Sequence, residues 1–582
     1  MKKITFGTPD EFVPSKFCDK FNYVETDIKY PVSNIKYTQT KAGALIEFPI
    51  EDGAPIYGFG LQLKNFNQRG YRLRLAVNSD PIANTGDSHA PVPFFVTTKG
   101  YGMYFDTVRY MDVQCGRRQK EALLSKITEN TESEVDEGVV DTTEELYKLK
   151  AASTEFMSIL IPASQGIDIY IIEGDTITDI VKQYNMLAGG GPDVPEWALG
   201  TLYRCYTGWD SKKITEVAEY FREKDIPVDS IGLEPGWQRH KYPCDYVWNE
   251  GAFGDHDDFI KHMVGDLGYH LSLWQHAYIH PDAPLFKPLF KYAGSNVTMG
   301  GIVPDFSIPE CSDKFAEYMK NVLVDHGIDC FKMDECDSGD YVGCWGFPLM
   351  TQFPSGMDGE QYHSLMGVLY CKTILKALGG KKTLGEVRSL GALSTSYPFV
   401  LYSDLYDHRD FVRGVVNSGF SGILWTPEFR VAWSKKECIR RIQSVVFSAK
   451  CQINAWNYPR IPWEQLDCEE EVKELLNIRR SLVPMLKKAY DEYRDTGKPP
   501  VRALVMDYTD DVNTYGVDDE YLFCDDLLVA PIIGWDGENP DERDVYLPES
   551  DKWVDYFTGE PVESGKIHVK TEGIPVYRRV SK

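Results

Sequence analysis

Three groups of acidic residues lie where short apolar runs end, and acidic side chains at such positions can do chemistry. The groups are Glu234, Asp334 with the nearby Glu335 and Asp337, and Asp404. Two carboxyl groups that flank a glycosidic bond can cleave it, because one attacks the anomeric carbon and the other protonates the leaving oxygen. An acid that follows a strand also serves as a helix cap or in an ion pair. The pattern alone therefore does not select Asp334 and Asp404.

Other kinds of active site fit the sequence less well. It contains no GxSxG elbow, no GxGxxG that opens a helix and no phosphate-binding Walker loop. His276 and His280 have the spacing of a metal-binding pair on a helix, but their segment is typical of a strand and a loop, and Pro281 follows. We therefore expect no metal and no cofactor, since carboxyl groups and water suffice for glycoside cleavage.

The elements that must position these acids alternate between helices and strands. Residues 211–224 repeat apolar side chains at helical spacing, and the runs 226–233, 270–274 and 330–333 are typical of buried strands. Repeated βα units predict an α/β fold with a (β/α)8 barrel. In such a barrel the active-site residues project from the carboxyl ends of the strands.

Short β-type runs, separated by turn residues, flank this region on both sides. They predict an antiparallel N-terminal β-sandwich and a short C-terminal β-domain. We place the sandwich at residues 1–190, the barrel at 191–495 and the C-terminal β-domain at 496–582. The carboxylate-rich stretch 128–145 is expected to be a solvated loop or hairpin.

Composition and charge limit the kinds of partner and the cellular location that we expect for this chain. The net charge of −26 over 582 residues argues against a surface for nucleic acid or anionic lipid. Aromatic residues make up 13% of the chain, which favours a small carbohydrate partner because sugar rings pack on aromatic faces. No apolar run is long enough for a membrane span, and none follows the two N-terminal lysines as a secretory signal would. The 13 cysteines form no CxxC pair, which predicts reduced thiols and a cytoplasmic location, while a homo-oligomer stays open.

Motifs along most of the chain are similar to those of one family. Tyr57-Gly-Phe-Gly60, Pro195-Glu-Trp-Ala-Leu-Gly200 and residues 518–531 resemble segments of glycoside hydrolase family 31. In that family these segments belong to the N-terminal sandwich, the start of the barrel and the C-terminal β-domain. The resemblance covers α-glucosidase, α-xylosidase and α-galactosidase types, and it implies the same three-part fold.

The catalytic residues follow from this resemblance. Phe331-Lys332-Met333-Asp334 is similar to the family's nucleophile strand, which makes Asp334 the nucleophile. The family's acid/base segment begins with Arg-Ser, and Asp404 lies sixteen residues after Arg388, as in that segment. The resemblance implies a retaining mechanism, in which Asp404 starts protonated. Lys332 either keeps Asp334 ionised or forms a structural ion pair.

The positions that would contact the sugar differ from those of ordinary α-glucosidases. By the resemblance, Glu234 replaces an Asp that binds sugar hydroxyls, and His276 replaces an Asp that grips the far side of glucose. Ser396 and Asn454 stand where α-glucosidases carry Arg and His. Trp274 matches a Trp of α-xylosidase-type relatives, and either walls the pocket or belongs to the core.

Three further residues are candidates for the pocket. Trp209 and Trp237 lie on loops after barrel strands, where a buried structural role is equally well supported, and Arg388 is expected to support the catalytic pair. We therefore predict an exo-acting α-glycosidase that is not a typical maltase and acts on an α-galactoside or a hexoside altered at C4 or C6. The alternatives are an α-transglycosylase, an α-glucan lyase and a non-catalytic sugar-binding protein. The last would be expected to lack one of the two carboxylates.

Overall fold

The computed structural model of this chain describes residues 1–117, 155–337, 345–404, 407–534 and 541–580. The acidic stretch 128–145, for which we expect a loop or hairpin, lies outside these residues.

Two five-stranded antiparallel sheets form the N-terminal region and pack face to face. Strand Gly43–Ile50 alternates buried and partly buried residues, so that one of its faces lies against the opposite sheet. The order in one sheet is Lys2–Thr8, Gln165–Glu173, Tyr101–Phe105, Phe94–Thr97 and Ile56–Gly58. The order in the other is Lys36–Gln39, Gly43–Ile50, Glu155–Pro162, Met111–Arg117 and Arg72–Leu75.

A barrel of parallel strands follows and confirms the predicted (β/α)8 architecture. Its seven-stranded sheet contains, in chain order, Thr201–Arg204, Ser230–Leu233, His270–His276, Cys330–Asp334, Gly385–Val387, Phe399–Leu401 and Cys451–Asn454. The first of these strands pairs with the last. Residues 425–429 supply the eighth position, because Trp425 bridges Leu401 and Phe429 bridges Ile453, both in parallel. These connections close the ring.

Helices cover the outside of the barrel. The helix Ser211–Glu223 is capped by Asp210, whose side chain accepts from the Lys213 amide, and its buried residues recur at helical spacing. The other long barrel helices are Pro309–Val322, Gly359–Leu378, His408–Ser418, Lys435–Val446 and Glu469–Thr496, and the short helix His256–Lys261 follows the second strand. Residues 388–398, between the fifth and sixth strands, contain no helix.

The C-terminal region is a six-stranded sheet beside a two-stranded one. Tyr521 ties it to the barrel by donating from its hydroxyl to the Phe447 carbonyl at 2.8 Å. The larger sheet has the order Val501–Ala503, Tyr521–Phe523, Leu527–Val529, Val576–Val580, Lys552–Asp555 and Pro561–Val562. The smaller pairs Glu542–Leu547 with Gly565–Lys570.

The sandwich packs directly on the barrel. Tyr57 stacks on Phe420, with ring centroids 4.9 Å apart and planes 2° from parallel. Gly60 has a φ of +88°, and a Cβ there would lie 2.0 Å from the Ala90 carbonyl oxygen. Only glycine therefore allows this loop to approach the segment that carries His89.

Two further observations concern the helices and the cysteines. In the part of the chain that the structure describes, no helix has both the length and the apolar character needed to cross a membrane. The twelve cysteines described are all buried, and none is in a disulfide.

Candidate active site

The carboxyl end of the fourth barrel strand carries the first candidate catalytic residue. Successive side chains of a strand alternate in direction, so Lys332 and Asp334 share a face of strand Cys330–Asp334. The whole strand is buried, and the Asp334 side chain is only 10% exposed. A carboxyl group at this position can reach a ligand only from the carboxyl end of the barrel.

Asp334 is held as an anion by several donors. The Trp274 indole Nε1 donates to its Oδ2 at 2.7 Å, and the Glu335 amide donates to its Oδ1 at 3.0 Å. Burial alone would raise the pKa of Asp334, but Arg388 and Lys332 outweigh burial and lower the pKa to about 2. Asp334 is therefore ionised at neutral pH, as a nucleophile must be.

Asp404 faces the same arginine. Arg388 Nη1 lies 2.7 Å from Asp404 Oδ2, and Arg388 Nε lies 3.8 Å from Asp334 Oδ1. Arg430 contacts Asp404 from the other side. The Asp404 side chain is 42% exposed, far more than that of Asp334. One rigid guanidinium thus bridges both carboxyl groups, of which one is enclosed and the other open to solvent.

A histidine from the sandwich completes this network. His89 is fully buried, and its Nδ1 lies 2.7 Å from Asp337 Oδ2 while its Nε2 lies 2.8 Å from Ser403 Oγ. Asp337 in turn accepts from Arg388 Nε at 3.0 Å. Burial lowers the pKa of His89 despite the nearby Asp337, so the ring is neutral at pH 7. A neutral ring that donates to Asp337 from Nδ1 accepts from Ser403 at Nε2.

Glu234 and Lys332 belong to a buried chain of charges inside the barrel. Lys332 Nζ lies 3.3 Å from Glu234 Oε1, and Arg204 Nη1 lies 3.2 Å from the same oxygen. Arg204 also pairs with Glu386 at 2.5 Å, and Lys450 contacts Glu386. The carboxylate of Glu234 is therefore already paired with two cations. Its predicted contact with sugar must be made by the lone pairs that remain.

His276, Trp237 and Trp209 use their ring nitrogens within the protein. His276 Nδ1 accepts from the Tyr278 amide at 3.1 Å, and its Nε2 lies 3.1 Å from the Lys241 carbonyl oxygen. Burial lowers the pKa of His276 to about 4. Trp237 is fully buried and donates to the Trp274 carbonyl at 2.6 Å, while Trp209 donates to the Pro459 carbonyl at 3.4 Å. These placements favour support of the pocket, and direct contact with sugar stays a prediction.

Asn454 lies beside a buried acid at the closing strands of the barrel. Its Nδ2 donates to Glu428 Oε2 at 3.1 Å, and Gln452 donates to the same oxygen at 2.6 Å. Burial raises the pKa of Glu428 to about 7, although Lys332 and the Asn454 hydrogen bond act in the opposite direction. Arg430 Nη1 lies 3.7 Å from Glu428 Oε1. We therefore expect the Glu428 carboxyl group to titrate near neutral pH.

Sequence reasoning missed several residues of the site, among them Arg430 and His89. Arg430 lies two residues after Glu428, and strand alternation places both on one face, so this signal was available. His89 lies 248 residues before its partner Asp337, and no local pattern connects them.

Two groups of side chains in the described residues could hold a metal ion. They are His240, His280 and Asp282, and His256, Asp257 and His326. The rings of His240 and His280 stack 3.9 Å apart at 7°, so their lone pairs cannot both point at one ion without rotation. Neither group contains Asp334 or Asp404.

Comparison with known proteins shows which family the chain matches. A family model described as "Glycosyl hydrolases family 31 TIM-barrel domain" matches residues 191–489, and one for the "Glycosyl hydrolase family 31 C-terminal domain" matches residues 497–581. An alpha-xylosidase of Saccharolobus solfataricus is 25% identical over 570 residues, which cover 92% of this chain and 70% of the relative.

Solved structures share the fold. A GH31 alpha-xylosidase from a soil metagenome, complexed with xylose, aligns with a TM-score of 0.76 at 19% identity. The alignment covers 94% of this chain and 81% of the alpha-xylosidase chain. The cycloalternan-forming enzyme of Listeria monocytogenes, in complex with a pentasaccharide substrate, aligns with a TM-score of 0.77 at 22% identity over 95% of this chain. The chain spans 55% of the length of that enzyme.

Proposed function

Because the chain belongs to glycoside hydrolase family 31, we propose that it is a retaining, exo-acting α-glycosidase with Asp334 as nucleophile and Asp404 as acid/base. The observation that carries this proposal is the contact of Arg388 with both carboxyl groups. It supports their action on one bond, since a single guanidinium spans only a few ångströms.

In the first step the Asp334 carboxylate attacks the anomeric carbon. The bond from that carbon to the leaving oxygen breaks, its electron pair goes to the oxygen, and Asp404 supplies the proton. The product is a glycosyl ester of Asp334. The low pKa of Asp334 supports this role, because the group is ionised before substrate arrives.

In the second step water attacks the same carbon from the opposite side. Asp404 takes the proton of this water, and the ester bond breaks to release Asp334 as a carboxylate. The greater exposure of Asp404 supports its part in this step, since water must reach it. A sugar hydroxyl in place of water would give transglycosylation, the alternative outcome on the same fold.

The proposed substrate is an α-galactoside or a modified hexoside rather than maltose. Glu234 is paired with Arg204 and Lys332, and His276 uses both ring nitrogens on the backbone. Polar groups engaged in this way favour another hydroxyl pattern than that of glucose. The buried cysteines without disulfides support a cytoplasmic location for this activity.

The test is a panel of 4-nitrophenyl α-glycosides in the gluco, galacto, xylo, N-acetylgalactosamino and sulfoquinovo series. Asp334→Ala should abolish turnover of the preferred glycoside. With the wild type, proton NMR should show the α-anomer of the released sugar as the first product. The control is Asp329→Ala, because Asp329 precedes the same strand at its other end, where it pairs with His270. Turnover of β-glycosides alone, a β-anomer as first product, or full activity of Asp334→Ala would contradict the proposal.

Asp404→Ala separates the acid role from a structural one. Glycosides with good leaving groups need little protonation, so their rate of glycosyl-enzyme formation should fall much less than that of poor ones. Equal losses for good and poor leaving groups would argue against Asp404 as the acid.

A further inference from the structure

Two histidines and one aspartate meet at the surface of the barrel. His256 and Asp257 begin the helix His256–Lys261, and His326 ends the short 3-10 turn Val324–His326. Nδ1 of His326 lies 2.6 Å from Oδ1 of Asp257, and Nε2 of His256 lies 3.9 Å from the same oxygen. All three atoms lie within 4.8 Å of one another, and each is of a kind that binds metal ions. These residues have no part in the proposed reaction.

Local features of the sequence bring the two segments together. Gly327 follows His326 with a φ of +115°, and a Cβ there would lie only 3.0 Å from Cγ2 of Ile260. A glycine therefore suits both the turn and its close approach to the helix. On the other side, Asp255 caps that helix by accepting from the Asp257 amide at 3.1 Å. Contacts within the chain thus order the backbone on both sides of the cluster.

The two imidazole rings are oriented differently from those of the other histidine pair. The His256 ring stacks on Trp248, with centroids 5.0 Å apart and planes at 12°. Its centroid lies 6.1 Å from that of His326, and these two planes cross at 41°. Tilted rings can each direct one nitrogen at a common point, whereas the parallel rings of His240 and His280 cannot do so without rotation. His280 has also committed its Nδ1, which accepts from a backbone amide at 3.0 Å.

The donor set favours zinc over the harder cations. Imidazole nitrogens suit Zn²⁺, whereas Ca²⁺ and Mg²⁺ prefer oxygen alone. Zinc bonds of about 2.0–2.2 Å place the ligand atoms of a tetrahedral site about 3.3 Å apart. The observed separations of 2.6 and 3.9 Å lie on either side of this value. The side chains of His256, Asp257 and His326 are 30%, 59% and 37% exposed, so they have room for the small shifts required.

We propose that His256, Asp257 and His326 bind one Zn²⁺ ion through Nε2, Oδ1 and Nδ1, with water in the fourth position. The hydrogen bond between His326 and Asp257 is then replaced by one bond from each residue to the metal. The neutral His326 ring carries its proton on Nε2 in this state, because Nδ1 must offer its lone pair to the ion.

The ion joins the segments that lead into two neighbouring barrel strands. Helix His256–Lys261 precedes strand His270–His276, and the turn Val324–His326 precedes strand Cys330–Asp334, and these two strands pair in parallel. An ion that bridges the segments limits their separation. Its role is structural, so the inference stands independently of the proposed function.

The experiment measures Zn²⁺ binding to the whole folded chain by competition with a chromophoric chelator, after dialysis against EDTA. The twelve described cysteines are buried and do not compete for the ion while the chain is folded. We expect one Zn²⁺ per chain. His256→Ala, His326→Ala and Asp257→Asn should each lower the affinity by about 10- to 100-fold or more, since even loss of a residue that merely supports a ligand has effects of this order.

The matched control is His262→Ala. His262 lies just beyond the same helix, its side chain is 36% exposed, and it contacts Glu219 through Nε2 and Asp266 through Nδ1. Because its two nitrogens lie on opposite sides of the ring, these two carboxylates and His262 cannot share one ion in this arrangement. The variant should therefore bind Zn²⁺ as tightly as the wild type.

Equal affinity in the wild type and in His256→Ala and His326→Ala would overturn the site, as would an equal loss in His262→Ala. Anomalous diffraction at the zinc edge locates the ion directly in crystals soaked with Zn²⁺. An ion held by His240 and His280 instead, or no ion at His256 and His326, would also overturn it. The readout is binding, so failure of the proposed glycosidase activity would leave this result unaffected.

Discussion

The indole Nε1 of Trp274 donates a hydrogen bond to Oδ2 of Asp334 across 2.7 Å. The two residues lie on neighbouring parallel strands, on which His276 pairs with Asp334 and Trp274 pairs with Lys332. The donor thus approaches Asp334, the proposed nucleophile, from inside the barrel. A fixed donor at this position stabilises the anion and lowers its pKa.

Trp274→Phe keeps an aromatic ring but removes this donor. We expect kcat to fall by about 10- to 100-fold, since removal of one preorganised donor has effects of at least this order. The pKa of Asp334 should rise, so the loss of activity at low pH should begin at a higher pH than in the wild type. The measurement is a profile of kcat/KM against pH with an aryl α-glycoside.

A matched control for that variant is Trp463→Phe. Trp463 is fully buried against Tyr203 and Phe221, outside the acid pair. It should lower stability without moving the acid limb of the profile. An unshifted acid limb in Trp274→Phe would contradict the assigned hydrogen bond.

His89 should affect the rate from the N-terminal sandwich. His89→Ala removes one partner from Asp337 and one from Ser403, and a buried polar group without a partner costs about 1–3 kcal/mol. We expect kcat to fall by about 10-fold or more with little change in KM, because Asp337 would lose one of its two partners and hold Arg388 less firmly. Steady-state kinetics on the preferred glycoside provides the measurement.

Two conservative variants distinguish the two hydrogen bonds of His89, one to Asp337 and one to Ser403. His89→Asn keeps a donor near the Nδ1 position, and His89→Gln keeps an acceptor near the Nε2 position. The first should retain more kcat than His89→Ala if the bond to Asp337 carries the effect. Equal kcat in all three variants at equal melting temperature would refute a positioning role.

Arg430 should influence the high-pH side of the activity. It contacts Asp404, which as the proposed acid has to carry a proton when the glycosidic bond breaks. Arg430→Met removes a positive charge from that carboxyl group, so the proton should be retained to higher pH, by about one pH unit. The alkaline limb of kcat against pH tests this. A limb that stays in place or moves to lower pH would show that Arg430 does not bear on the acid.

Glu428 should make stability depend on pH. Its pKa in the folded protein is about 7, above the ordinary value of 4.5, so the folded state binds more protons between these values. Stability contributed by the protonated form is therefore complete below about pH 4.5 and is lost as pH rises through about 7, by about 3 kcal/mol at most. Glu428→Gln cannot titrate.

The melting temperature of Glu428→Gln should therefore gain on that of the wild type between pH 5 and pH 8. Differential scanning calorimetry of both proteins at several pH values provides the measurement. A constant difference over this range would show that Glu428 titrates outside it.

Local patterns predicted the barrel and the acids at its strand ends. Asp334 ends one short buried strand and Asp404 follows another, and parallel strands bring their carboxyl ends to one edge. Pattern reasoning also expected a helix after each strand, whereas residues 388–398 contain none. Periodicity reports buried faces, and the loops between strands are not periodic.

The sequence pattern also did not predict which aromatic residues line the pocket. Trp237 follows a barrel strand and was a candidate for the pocket wall, yet it is fully buried and donates to the backbone. Tyr242 and Trp345 are the half-exposed rings beside Trp274. Which aromatic of a loop faces solvent depends on the turns of that loop, which hydrophobic spacing does not encode.

The bonds of His89 also bear on how such enzymes can be recombined. The matched barrel segment begins at residue 191, whereas His89, at residue 89, supports Asp337, which holds Arg388. In a chimera that joins this barrel to the sandwich of a relative, Asp337 and Ser403 each lose the partner that His89 provides, unless the relative's sandwich supplies an equivalent side chain. To transfer this active site intact, the barrel and the sandwich segment around His89 therefore have to be moved together.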